Sequence, residues 1–146
     1  MEQIFLVKED FNKLKLKVIE NEGKEIIFSS NDDEFNRKVV EKLGISVLLL
    51  KEEGRRDYSK QRDSGFNQIM AREAAKKKVV IGIDLDEIVL SKEKSRIIAR
   101  VRQNVELCKK FRIQMKFIGS KISKDSRELK SLGLVLGMPT GMTKKL

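Results

Sequence analysis

Short apolar runs alternate along this chain with segments of helical periodicity, and the clearest example lies in its first third. The runs Glu25–Ser29 (EIIFS) and Ile45–Leu50 (ISVLLL) have the length and composition of strands. The second run is apolar on both faces, which is typical of a strand covered by helices on each side. Between them, Phe35, Val39 and Leu43 recur at intervals of four residues and form one face of a helix. The pattern predicts two parallel strands joined by a helical crossover.

The same alternation continues along the rest of the chain. Further strands are predicted at Ile4–Val7, Val79–Ile83 and Met115–Gly119, and further helices after the Ser64–Gly65 turn, at Lys92–Phe111 with Ser91 as cap, and after Asp125 or Ser126. Asp10–Glu22 fits either a strand, by its alternating Lys residues, or a helix capped by Asp10. The helix is favoured because a crossover between parallel strands needs one. We expect an α/β fold with a parallel sheet of repeated β-α units, in one domain over residues 1–146 with a flexible tail at 139–146.

The charge of the chain points to a polyanionic partner. Lys and Arg number 32 against 22 Asp and Glu, so the net charge is +10. Such an excess favours nucleic acid, an anionic membrane surface or an acidic protein as partner. No apolar run reaches the length of a membrane span, and the N-terminus does not have the pattern of a signal peptide.

The lack of histidine and the presence of a single cysteine restrict the catalytic and metal-binding chemistry open to this chain. The chain contains no His, which removes the commonest general base and metal ligand. Cys108 is the single cysteine, so no disulfide can form within one chain. Cys108 falls on an apolar helix face and is expected in the core. A reducing cytoplasm is the expected location.

Basic residues follow several of the predicted strands. The carboxyl ends of parallel strands form the edge at which such folds bind ligands, so residues that follow strands should gather there. Arg pairs phosphate oxygens in a bidentate way, and a group of cations at this edge could track a phosphate backbone. Tyr58 is the single Tyr and Trp is absent, which favours contact with RNA shape and backbone over base stacking. The candidates for RNA or partner contact are Arg55, Arg56, Arg62, Asn67, Arg96, Arg100, Arg102, Lys121, Lys124 and Arg127.

Carboxylates also follow one strand, at Asp84, Asp86 and Glu87. They are consistent with a divalent metal site, or with a polar loop that caps the next element. The capping interpretation is favoured because no second acidic cluster accompanies them. No glycine-rich phosphate-binding motif occurs.

An ordered series of short segments resembles the archaeal ribonuclease P protein component 3 family. The segments are Arg62–Asn67 (RDSGFN), Ala71, Ala74–Lys77, Ile81–Ile83, Arg102–Lys110 (RQNVELCKK), Gly119–Lys121, Ser126–Leu129 and Leu132–Gly133. The series covers roughly Ile45 to Met138. Little of the sequence before Ile45 resembles the family.

This resemblance implies a TIM-like barrel related to metal-dependent phosphoesterases but without a working metal site. It implies a subunit of the RNA–protein enzyme that removes 5′ leaders from precursor tRNA. Catalysis there belongs to the RNA and its magnesium, and the protein is expected to bind no cofactor and no metal. Implied partners are the ribonuclease P RNA, component 2 and the other protein subunits, with precursor tRNA contacted indirectly. The N-terminal part is shortened relative to the family, which predicts an open or partial barrel whose apolar edges a partner could cover.

Within this hypothesis, Arg62, Asn67, Arg100, Arg102, Lys121 and Arg127 are the residues first expected to make contacts. Arg62 and Asn67 could instead brace the turn from loop to helix. Two alternatives from other classes are a stand-alone metal-dependent phosphoesterase that uses Asp84, Asp86 and Glu87, and an α/β interaction module with an acidic protein partner.

Overall fold

A computed structural model describes residues 2–57 and 63–146, in which strands and helices alternate. The strands are β1 (Gln3–Val7), β2 (Glu25–Ser29), β3 (Val47–Leu50), β4 (Val80–Asp84) and β5 (Met115–Ile118). The helices are α1 (Phe11–Glu20), α2 (Asp33–Lys42), α3 (Gln68–Lys77), α4 (Leu85–Leu90), α5 (Lys94–Phe111) and α6 (Ser126–Val135), followed by a 3₁₀ helix at Thr140–Lys145. All strand pairs are parallel.

The five strands lie in the order β1-β2-β3-β4-β5. Consecutive strands are therefore neighbours, and crossovers of one hand place the helices on one face of the sheet. The main core lies on that face, where Phe28, Leu48 and Ile81 pack against buried helix residues such as Leu14 and Ile97. A second, smaller apolar cluster on the other face contains Ile27, Val47, Leu49 and Ile118, with Val80 packed against it.

One ion pair crosses the face of the sheet without helices. Lys116 on β5 donates to the Glu25 carboxylate on β2 at 2.7 Å, although β3 and β4 lie between these strands. In the described part of the chain, β1 and β5 do not pair with each other, so the sheet is open.

The face of the sheet without helices leaves apolar side chains exposed along β1. Phe5 is 57% exposed and Val7 is 63% exposed. They line a groove of about 710 Å³ whose wall also includes Ile27, Leu49 and Lys51. The apolar edge that the sequence predicted is therefore present at β1.

Acidic and amide side chains begin most of the helices. Asp10 accepts the backbone N–H of Lys13 at 3.3 Å, which identifies the ambiguous segment as the helix α1. Asp32 caps α2 and Asp125 caps α6 in the same way. These contacts satisfy N–H groups that have no partner within the helix.

One expectation about local structure is wrong. Ser91 does not cap the long helix, because an additional short helix, α4, ends just before it and α5 begins only at Lys94. Burial of Leu85 and Ile88 stabilises α4. A helix of six residues is too short to show a clear hydrophobic periodicity in the sequence. Residues 139–146 contain the 3₁₀ helix, whose Thr143 is only 4% exposed, and the flexibility expected for this segment stays a prediction.

No helix among residues 2–57 and 63–146 is both long and apolar enough to cross a membrane.

Candidate nucleic-acid interface

The loops after β3 and β5 lie on either side of helix α4. Both β3 and β5 pair with β4, and α4 follows β4 directly. The carboxyl ends of the three strands therefore bring residues 51–57, 84–91 and 119–125 to one edge of the sheet. We call this set of residues the carboxyl rim.

Asp86 on α4 holds the loop after β5. Its carboxylate accepts the Ser120 hydroxyl at 2.7 Å, the Ser120 N–H at 3.1 Å and the Ile122 N–H at 2.9 Å, together with the Lys121 N–H. Desolvation acts to raise the pKa of Asp86, but these hydrogen bonds outweigh it and lower the pKa to about 2. A carboxylate so held is ionised at neutral pH and keeps the backbone of Lys121 in place.

Glu87, the next residue, holds the loop after β3. It accepts the backbone N–H of Glu52 at 2.9 Å and that of Glu53 at 3.3 Å. Asp84 caps α4 through the Glu87 N–H at 3.1 Å and forms an ion pair with Lys51. Asp84, Asp86 and Glu87 thus position the rim, and Asp84 caps α4 as the capping interpretation predicted. Among the described residues, no group of three or more metal-ligating side chains occurs.

Arg100 lies under the rim instead of on its surface. Its guanidinium donates to the carbonyls of Glu52 and Arg55, each at 2.6 Å, and to the Asp57 carboxylate at 3.1 Å. The side chain is only 1% exposed, so Arg100 supports the loop after β3 in this structure, and its expected RNA contact stays a prediction. The loop after β3 folds across this part of α5, and its carbonyls require donors once they are removed from water.

Arg55 also braces the rim. It donates to the Asp33 carboxylate at 2.8 and 3.0 Å and to the carbonyl of Lys51 at 2.6 Å. Gly65 packs directly against this guanidinium, because a Cβ at that position would lie 2.4 Å from Arg55 Nη2. The segment that resembles the family's S-G motif is therefore a turn closed onto Arg55.

Gly65→Ala should destabilise the protein by about 2 to 4 kcal/mol, of which about 1 to 2 kcal/mol comes from its φ of +72°. The remainder comes from the displaced Arg55, and urea unfolding measures the total. Gly54→Ala is the matched control, since Gly54 has a φ of +78° but nothing within 4 Å of the added Cβ. Equal losses in the two variants would contradict the proposed contact between Gly65 and Arg55.

The exposed candidate cations divide between the rim and other surfaces. Arg56 and Lys121 lie in the two loops held by α4, and Lys124 and Arg127 flank the start of α6. Arg96 is exposed in the first turn of α5, and Lys124 lies 3.5 Å from Glu128.

Three further candidates stand apart from this group. Arg102 donates to the carbonyl of Val135 at 3.3 Å, at the end of α6 that lies about 13 Å from its rim end. Asn67 caps α3 by accepting the Met70 N–H at 3.0 Å, as the bracing interpretation predicted. Its contact with RNA stays a prediction. Arg62 lies outside the described residues.

Two buried residues that support the rim were not predicted from the sequence. Glu52, at 2% exposed, is buried in the loop after β3, and Asn104 lies on the inner face of α5 and donates to it at 2.8 Å. Asn104 follows Arg100 by one helical turn, so the two residues lie on the same face of α5. This spacing is the signal in the sequence that could have placed Asn104 beside Arg100.

Comparison with known proteins gives a structural likeness. Neither the family models nor the curated protein sequences match this chain. A solved chain from the cryo-EM structure of archaeal ribonuclease P with mature tRNA superposes on it with a TM-score of 0.80 and 24% sequence identity. The match covers 97% of this chain and 62% of the solved chain, so this chain spans about three-fifths of that length. The likeness shows that the two chains share one fold.

Proposed function

We propose that this chain is a ribonuclease P protein subunit of the component 3 type, which supports the catalytic RNA in removing 5′ leaders from precursor tRNA. The observation that carries the proposal is the shared fold, at a TM-score of 0.80 over 97% of the chain, with a chain from an archaeal ribonuclease P structure. The ordered series of resembling segments and the net charge of +10 support it independently.

In this proposal, the rim presents fixed cations to the phosphates of folded RNA. Asp86 and Glu87 hold the loops that carry Lys121 and Arg56, so those loops do not have to be ordered on binding. The magnesium that acts in cleavage belongs to the RNA. The protein partners are component 2 and the other subunits, and precursor tRNA is contacted indirectly.

Addition of this chain with its component 2 partner to ribonuclease P RNA should lower the magnesium concentration needed for precursor-tRNA cleavage. Protein cations at the rim would replace part of the magnesium that otherwise screens the repulsion between RNA phosphates. Cleavage rates measured across a magnesium titration, with and without the proteins, test this. An unchanged magnesium requirement would contradict the proposed function.

Two other experimental results would favour one of the alternative functions over a ribonuclease P subunit. Metal-dependent phosphoester hydrolysis by the purified protein, lost in Asp84→Asn, would indicate a stand-alone phosphoesterase. Asparagine keeps a side-chain oxygen that can cap α4, which makes it a milder change than alanine. Co-purification with an acidic protein that survives nuclease treatment would indicate an interaction module.

A further inference from the structure

Glu52 is a carboxyl buried against helix α5. It is 2% exposed, and its Oε1 accepts the Nδ2–H of Asn104 at 2.8 Å. Asn104 is likewise buried, at 2% exposed. The contact joins the loop after β3 to α5 within the rim.

The other oxygen of each side chain has no hydrogen-bond partner. Within the described residues, Glu52 Oε2 and Asn104 Oδ1 are the buried side-chain atoms without one. An ionised carboxylate cannot donate to the amide oxygen, because both atoms are acceptors. A protonated Glu52 Oε2 becomes a hydrogen-bond donor. Asn104 Oδ1 can accept from it, and the same Asn104 side chain already donates a hydrogen bond to Glu52 Oε1.

We propose that Glu52 is protonated in the folded protein and forms a two-bond acid–amide pair with Asn104 that fastens the loop after β3 to helix α5. One bond runs from Asn104 Nδ2–H to Glu52 Oε1, and the other from Glu52 Oε2–H to Asn104 Oδ1. Both buried atoms are then satisfied.

The cations around Glu52 donate their hydrogen bonds to other groups. Arg55 Nε forms an ion pair with Glu52 Oε2 at 3.7 Å, but its N–H donates to the Lys51 carbonyl at 2.6 Å. Three N–H groups of Arg100 donate to two carbonyls and to Asp57. The Glu87 carboxylate, which accepts the Glu52 N–H, disfavours a second negative charge beside it.

These surroundings agree with a neutral carboxyl at physiological pH. Desolvation raises the pKa of Glu52 to about 8, against the opposing effects of Asn104, Arg55 and Arg100. In the unfolded chain, Glu52 loses its proton near its usual pKa of 4.5. The folded state therefore holds one more proton between pH 4.5 and about 8, and stability falls as pH rises through that window.

Glu52→Gln tests the pair, because a glutamine amide supplies an N–H in place of the acid O–H at every pH. We expect the melting temperature of this variant to rise relative to wild type by about 5 to 10 °C between pH 5 and pH 8. Glu53→Gln is the matched control: it removes an exposed carboxylate one residue away, and its profile should run parallel to that of wild type.

A spectroscopic measurement on the wild-type protein gives an answer even where Glu52→Gln does not fold. Carbon-13 NMR of the glutamate carboxyls should show one group with a titration midpoint near 8, and the signal should persist in Glu87→Gln. A Glu52 that titrates in the ordinary carboxyl range would overturn the proposal. A Glu52→Gln variant less stable than wild type by the same amount at pH 5 and pH 8 would identify an ion pair with Arg55 instead.

Discussion

Replacement of Arg100 by Met is expected to destabilise the protein by about 3 to 5 kcal/mol. The carbonyls of Glu52 and Arg55 would lose a donor at 2.6 Å while the loop still excludes water from them. Methionine fills most of the space left by the stem of arginine, so the loss reports chiefly on hydrogen bonds. Thermal unfolding should show a fall in melting temperature of about 6 to 20 °C.

The same variant distinguishes a structural arginine from an RNA contact. At a temperature where both proteins are folded, Arg100→Met should leave the salt dependence of RNA binding unchanged, because a buried guanidinium does not displace counterions from RNA. Arg96→Met, one turn earlier on α5 and exposed, should behave in the opposite way. Its stability should stay within about 0.5 kcal/mol of wild type while the salt dependence decreases. The reverse pattern would mean that the loop after β3 opens when RNA binds.

Removal of three exposed cations in the rim or next to it, in Arg56→Ala/Lys121→Ala/Arg127→Ala, should weaken RNA binding about tenfold or more near physiological salt. Each lost phosphate contact lowers the slope of log K against log salt by about 0.7 to 0.9. The triple variant should therefore lose about 2 to 3 from that slope. Affinities measured at several salt concentrations give both quantities.

The control for this experiment carries the same change in charge at the opposite edge of the sheet. Lys76 and Lys77 end α3, and Lys109 lies in the last turn of α5, so all three lie away from the rim. Lys76→Ala/Lys77→Ala/Lys109→Ala should reduce the slope by much less than the rim variant. Equal losses in both triples would show that RNA responds to net charge alone and would contradict a binding edge.

Prediction of the elements from the sequence succeeded where the signals are local. The run Ile45–Leu50 contains β3, and Asp10 and Asp125 cap the helices that follow them. Each of these patterns depends on residues within one turn or one strand. The short helix α4 was missed because its stability depends on burial of Leu85 and Ile88 against distant parts of the chain.

In the candidate interface, too, the sequence predicted what depends on nearby residues and did not predict what depends on distant ones. The alternation of strands and helices was sufficient to place Arg56 and Lys121 at one edge, since parallel strands end on the same side. The sequence could not separate Arg96 from Arg100, which occupy equivalent positions one turn apart on α5. One is exposed and the other is 1% exposed because the loop after β3 folds over only the second.

By itself, the sequence determined the α/β class, the parallel order of the elements and the edge of the sheet at which Arg56 and Lys121 lie, because hydrophobic periodicity and helix caps act over a few residues. The tertiary structure alone decided which charges are available to a partner. It paired Asp86 and Glu87 with loop N–H groups, buried Arg100, and brought Glu52 against Asn104, 52 residues later in the chain. Burial of a charged group depends on which distant backbone groups need it as a partner, and the linear pattern of residues does not contain that information.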